Sequence, residues 1–186
     1  MQIPNIFVNP KNGTLSGADI IESKKILSEL VCVFEDKDAF EQMPADTVVY
    51  RVQMHNNVQE GVCGGLFFGT SFVSPGIVGD EYFMTKGHFH EKREAAEYYW
   101  CVEGSGILLT MQENGKCEAF EMKPGSLHYI QGNLAHRIVN TGDSVLAVGA
   151  CWPSDAGHDY GAVESGFSVR VKKIDGKPVI LGNVSE

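Results

Sequence analysis

The stretch TKGHFHEKREAAEYYWCVEGSG, residues 85–106, carries two histidines two apart and a glutamate seven residues after the second. On a β-strand the period of two turns His88 and His90 to one face, within reach of a single ion. Of the residues Glu97 to Val102, EYYWCV, four are aromatic or β-branched. That is the composition of a return strand on which Glu97, Tyr99 and Cys101 share a face. A further group follows in PGSLHYIQGNLAHRIVN, residues 124–140, where His136 precedes the strand-like Arg137-Ile138-Val139 and the turn Asn140-Thr141-Gly142-Asp143.

Two neutral imidazoles and a carboxylate suit a borderline divalent ion such as iron, manganese, nickel, cobalt or zinc. His136 makes the set three histidines and one glutamate, which leaves coordination positions open on a five- or six-coordinate metal. That is the layout of a catalytic site. A histidine pair alone is also what two solvated imidazoles on a strand look like; Glu97 and His136, each set among strand and turn signals, point to the metal.

Working outward, period-two patterning begins with TVVYRVQM at 47–54 and continues to the end of the chain. The expected strands are 47–54, 64–73, 79–86, 87–91, 97–103, 106–112, 117–122, 126–130, 136–140, 144–151 and 166–173, with a short one near 178–181. Glu103-Gly104-Ser105-Gly106, Glu113-Asn114-Gly115, Lys123-Pro124-Gly125 and Thr141-Gly142-Asp143 interrupt them with residues that tight turns require. Upstream, residues 1–15 contain Pro4 and Pro10 and read as an extended arm or edge strand. SGADIIESKKILSEL, 16–30, spaces its isoleucines and leucines as a helix with Ser16 as N-cap. A second short helix is expected from Asp38 to Gln42. Helices first and strands after give an all-β core with a small helical decoration in a single domain, 1–46 forming the arm and helices and 47–186 the barrel.

Length and composition agree. A chain of 186 residues buries about 70 per cent of the surface its unfolded form exposes. The net charge of −9 argues against nucleic acid, whose phosphate backbone calls for a basic surface. A small phosphorylated ligand is compatible with it, since local hydroxyls and backbone N–H groups suffice to hold one. Cys32, Cys63, Cys101, Cys117 and Cys151 are odd in number and lack CxxC spacing, the usage of reduced thiols in a cytoplasmic protein. No apolar run of about 18 residues and no signal-like N-terminus appears, so neither secretion nor a membrane span is expected.

HxH, then Glu, then Gly, followed by a Pro-Gly turn and a final His with Asn four residues on, resembles the two-part motif of the cupins, double-sheet jelly-roll barrels with a metal inside. The six-residue gap between His90 and Glu97, TKGHFH, AHRIVN and DAGHDYG at 155–161 are together similar to the cupin-type, metal-dependent glucose-6-phosphate isomerases, over about Val48 to Gly166. The resemblance implies one divalent metal per chain, Fe2+ first and Zn2+, Mn2+, Ni2+ or Co2+ after it, held by His88, His90, Glu97 and His136. It implies a phosphorylated sugar substrate whose phosphate meets Thr85 and Gly87, with the small hydroxyls Thr70 and Ser71 nearby. His158 and Tyr160 would close over the substrate, and Tyr50 and Tyr99 are strand tyrosines near it, Tyr99 on the face of Glu97. It further implies a homodimer. Gln131-Gly132-Asn133 and Trp152 depart from the stretch and the tyrosine expected there, near the substrate mouth. His128, which does not match the motif, and His55, in a polar turn, are set aside.

Aldose–ketose exchange moves a proton off the carbon beside the carbonyl and back to its neighbour through an enediolate. A cation at the four ligands stabilises that charge as a Lewis acid, with Glu97 as the base and Tyr99 and His158 assisting. The alternatives are another metal-cupin enzyme, either a mannose-active sugar-phosphate isomerase or a dioxygenase, and a non-catalytic sugar-binding cupin.

Overall fold

The computed structural model describes residues 2–164 and 166–182. Its strands are β1 (Ile6–Val8), β2 (Leu15–Gly17), β3 (Ile20–Ile26), β4 (Val48–His55), β5 (Leu66–Val73), β6 (Ile77–Val78), β7 (Glu81–Tyr82) and β8 (Glu97–Glu103). After these come β9 (Gly106–Met111), β10 (Cys117–Met122), β11 (Leu127–Ile130), β12 (Ala135–Asn140), β13 (Leu146–Pro153), β14 (Arg170–Ile174) and β15 (Lys177–Leu181). The α-helix α1 (Lys37–Gln42) is capped by the Asp36 carboxylate, which accepts the Ala39 N–H at 2.9 Å.

A six-stranded sheet runs in the order β11-β8-β13-β5-β4-β3. Opposite it, β10-β9-β12 is extended by residues 84–89, through the bridges Met84 to Val139 and His88 to His136. Val49, Val73, Cys101 and Val148 from the first sheet pack in one core with Leu108, Ile138 and Val139 from the second. Two sheets closed over a shared apolar interior form the cupin jelly roll.

The pattern expected for 16–30 is overturned. Residues 20–26 form an edge strand paired to β4 from Ile20 opposite His55 to Lys25 opposite Tyr50, and only Leu27–Leu30 makes a 3-10 turn. Gly17 and Asp19 hold φ of 125° and 55°, which a helix starting at Ser16 cannot pass through. A lone 15-residue helix is marginal in water, whereas β4 offers a ladder of backbone partners. The exposed Glu22 and Lys24 keep this edge from pairing further. The arm is likewise a hairpin of β1 and β2, anchored where Thr70 Oγ1 donates to the Gly13 carbonyl and Gln53 Oε1 accepts the Leu15 N–H.

Residues 87–91 are no continuous strand. His88 and Phe89 each make a single bridge, to His136 and Asp159, because Gly87, at φ 76°, bends the chain between the two sheets. His55 is the last residue of β4 and not part of a turn.

The turn after β12 is fixed by Asn140, wholly buried, whose Nδ2 donates to the carbonyls of Val73 and Ser144 while its Oδ1 accepts the Gly142 N–H. Asn140→Ala leaves those buried groups unpaired, and unfolding in urea is expected to show a loss of about 3 kcal/mol.

Candidate metal and substrate site

Strand parity builds the site. Across the large sheet the pairs Val52–Ser71–Val148–Cys101 and Met54–Gly69–Ala150–Tyr99 lie in two neighbouring rows. Gly69 and Ala150 leave room in the second row; a Cβ on Gly69 would lie 2.7 Å from the Gln53 carbonyl and 3.1 Å from the Trp152 ring. The resulting cavity, about 110 Å³, is lined by Tyr50, Ser71, Thr85, Gly87, His88, Glu97, Tyr99, His136, Trp152, His158 and Tyr160 among others. A larger, more open depression of about 470 Å³ lies beside Phe89, Arg93 and Phe167 but contains no cluster of ligating groups among the described residues, so size does not locate the site.

At the cavity floor one donor atom from each of His88, His90, Glu97 and His136 lies within 4.8 Å of the others. The His88 ring centroid is 5.5 Å from that of His90 and 4.4 Å from that of His136. Two of the imidazoles are set by their outer nitrogens. His90 Nδ1 lies 2.9 Å from the Ala95 carbonyl and His136 Nδ1 lies 3.3 Å from the Leu134 carbonyl. A carbonyl only accepts, so Nδ1 carries the proton and Nε2 presents a lone pair. His90 Nε2 is 3.6 Å from Glu97 Oε1, His136 Nε2 is in direct contact with that oxygen, and all three atoms are buried without a hydrogen-bond partner.

Lone pairs aimed at one another in a buried space repel unless positive charge sits among them. Burial, and after it His136, hold the His88 imidazole well below its ordinary range. Burial also lowers His90, although Glu97 pulls the other way. Neutral imidazoles with a carboxylate are the donor set of a divalent metal, and the four residues fit one.

Around this floor stand hydroxyls and one loop. Thr85 Oγ1 accepts the Ile138 N–H at 3.1 Å, which leaves its own proton for an acceptor in the cavity. Tyr99 is pushed well up by burial and then by the adjacent Glu97, so its hydroxyl stays protonated; burial also raises Tyr50 and Tyr160. The 155–161 loop is held over the mouth by Phe89 and Asp159, which exchange backbone hydrogen bonds of 3.2 and 2.8 Å, and by Arg93 donating to Asp159 at 2.6 Å. It brings the His158 ring to 4.5 Å from that of His88, and Tyr160 to 5.6 Å.

The structure thus brings the expected residues to one cavity, with His90 beneath its lining. Thr70 is the exception. It faces the other side of β5, toward Gly13. Cys101 is a buried filler whose thiol lies near the Glu103 and Gly104 carbonyls, and His128 contacts Ser126 away from the cluster. Sequence reasoning missed Arg137. It is buried and donates from Nη2 to the Lys86 carbonyl at 2.6 Å. Period-two parity with His136 sends it out of the barrel, and only its place in the apolar run AHRIVN hinted that it is covered.

The glucose-6-phosphate isomerase (GPI) family profile matches residues 24–181. The chain is 41% identical over 165 residues to the glucose-6-phosphate isomerase of Thermococcus litoralis, covering 87% of this chain and 86% of that one. It is 38% identical over 181 residues to that of Pyrococcus furiosus (96% and 94% covered), and 33% identical over 171 residues to that of Sinorhizobium medicae (90% and 78%). Among solved structures, a formate complex of Lactobacillus farciminis oxalate decarboxylase superposes with a TM-score of 0.46 at 16% identity, covering 60% of this chain and 30% of that one.

Proposed function

The chain belongs to the glucose-6-phosphate isomerase family, and from that premise we propose how its cavity interconverts glucose 6-phosphate and fructose 6-phosphate. The observation that carries the reading is the convergence of three imidazoles and Glu97 beneath a ring of hydroxyl donors. His88, His90, Glu97 and His136 hold one divalent metal, which supplies Lewis acidity toward the sugar oxygens when bound. Ferrous iron is the first ion to test.

Each remaining residue has a separable task. Thr85, the Gly87 N–H, Tyr50, Ser71 and Tyr160 take the phosphate end, where a dianion accepts several hydrogen bonds at once. That leaves C1 and C2 near Glu97. Its Oε1 faces His90 and His136, and Oε2 serves as the base that takes the proton from one carbon and returns it to the next. Tyr99, protonated across the physiological range, donates to the carboxylate and steadies it. His158, at the mouth and neutral, moves the proton exchanged between the two sugar oxygens. Exposed Leu127 and Tyr129 on the edge strand β11, with Tyr98 on β8, support a homodimer through that face.

Protein stripped of metal is expected to lose fructose 6-phosphate turnover and to regain it with ferrous, manganous, nickel, cobalt or zinc ions. No turnover in protein that demonstrably binds these ions would overturn the reading. Run in deuterium oxide, the proton route predicts label at C2 of glucose 6-phosphate; complete absence of label points to a hydride shift in place of Glu97 as base.

A further inference from the structure

Arg137 is 3% exposed, and among the described residues it has no carboxylate within ion-pairing distance. Its Nη1 donates to the Met84 sulfur at 3.2 Å and its Nη2 to the Lys86 carbonyl at 2.6 Å, and its guanidinium lies over the Phe167 ring at 4.1 Å. Nε is buried with no partner. Burying a cation without an anion is costly, and such a charge persists where something else requires it. Both of its hydrogen-bond acceptors, the Met84 sulfur and the Lys86 carbonyl, lie on the segment 84–87, which carries the phosphate donors of the proposed site.

The Lys86 carbonyl and the Gly87 N–H belong to one peptide unit. This peptide is trans, there being no cis bond among the described residues, so that N–H points away from the carbonyl and therefore away from Arg137. On the far side of the peptide Gly87 lines the cavity. Its N–H has no protein acceptor among the described residues. A charge-assisted hydrogen bond at one end of a peptide polarises the donor at the other. The same contact fixes the direction of that donor, because the carbonyl and N–H of one planar trans peptide are rigidly opposed; the neighbouring Thr85 N–H is already bonded to the Ile138 carbonyl at 3.0 Å. Gly87 also cannot be anything larger. A Cβ there would fall 2.9 Å from the Phe167 ring and 3.0 Å from Arg137 Nε.

We propose that Arg137 is the positioning residue of the phosphate end: acting through the Lys86–Gly87 peptide, it aims and polarises the Gly87 N–H, and its positive charge is balanced by the phosphate dianion bound on the other side. The inference rests on the proposed placement of the phosphate at Thr85 and Gly87. Arg137 itself touches no substrate.

The test compares Arg137→Met, Arg137→Gln and Arg137→Lys with the natural protein, all metal-loaded. In the two neutral variants KM for fructose 6-phosphate rises about 10- to 100-fold while kcat changes by less than about 3-fold, the magnitude expected when a charged hydrogen-bond partner is withdrawn. Inorganic phosphate loses affinity in parallel by calorimetry, bound metal per chain is unchanged, and Arg137→Lys recovers part of the loss. A merely structural residue would lower kcat, metal content and folded fraction together. Unchanged phosphate affinity in either folded neutral variant overturns the proposal, as does a loss of kcat at constant KM. If Arg137→Met does not fold, Arg137→Gln gives the same reading. The phosphate titration is independent of turnover, so a natural protein that binds phosphate but does not isomerise the sugar would sink the functional reading and leave this inference standing or falling on its own.

Discussion

Glu97→Gln is expected to lower kcat for fructose 6-phosphate about 10³-fold while bound metal per chain falls by less than half. Glutamine keeps the shape of glutamate and an oxygen that can face His90 and His136, but its amide has no useful basicity. General-base catalysis is worth about 10²–10⁴-fold, and the expected loss lies at the middle of that range. Three imidazoles remain to hold the ion, two of them fixed from behind by the Ala95 and Leu134 carbonyls. Metal retention should therefore survive the change better than turnover does.

The two quantities separate the two roles proposed for Glu97. Loss of metal in step with loss of rate would make Glu97 a ligand only and move the base elsewhere, with His158, whose ring lies 4.5 Å from that of His88, first in line. Retained exchange of the substrate C–H in deuterium oxide would argue the same way. If kcat falls and metal stays, Glu97→Asp tells whether reach matters. The shorter side chain, still basic, is expected to recover only part of the rate, because a base displaced by about 1 Å loses much of its advantage.

What could be read from the chain in advance followed period two. Glu97 and Tyr99 on β8 reach the cavity by strand alternation, and Ser71 on β5 and Tyr50 on β4, which the family resemblance brought forward, line it with them. Asn114-Gly115 marked the β9–β10 hairpin, with Gly115 at φ 84°. The helix expected at 16–30 failed because amphipathic spacing over a short window does not distinguish a helix from an edge strand with two isoleucines at one end. The ladder with β4, which decides it, lies more than 20 residues away along the chain. Arg137 was invisible for a related reason. Its burial comes from Met84, Lys86 and Phe167, which approach from outside the strand, and alternation describes only which face a side chain leaves from. The isolated bridges at His88 and Phe89 show the opposite case, in which the expected strand is absent and the two histidines still converge because Gly87 bends the backbone into place.

His136→Ala should abolish the stabilisation that metal gives and reduce turnover below detection. Removal of a partner that merely orients a metal-bound histidine costs about 10–100-fold in metal affinity, and His136 is proposed as a ligand in its own right, so a loss greater than 100-fold is expected. In the natural protein a divalent ion at about 1,000 times its Kd adds about 4 kcal/mol to folding, read as a rise in Tm on titrating metal into stripped protein. In the variant that rise should vanish. The metal-free forms should differ much less than usual for a buried imidazole. Truncating His136, 1% exposed, opens a cavity, but it also removes one of the crowded, unpartnered atoms facing Glu97 Oε1. The two effects oppose, and a difference below about 2 kcal/mol is expected. A variant whose Tm still climbs with metal as the natural protein's does would exclude His136 from the ligand set. A metal-free variant that unfolds outright would show that the imidazole is held for packing, and that the convergence of four donor atoms has a structural cause.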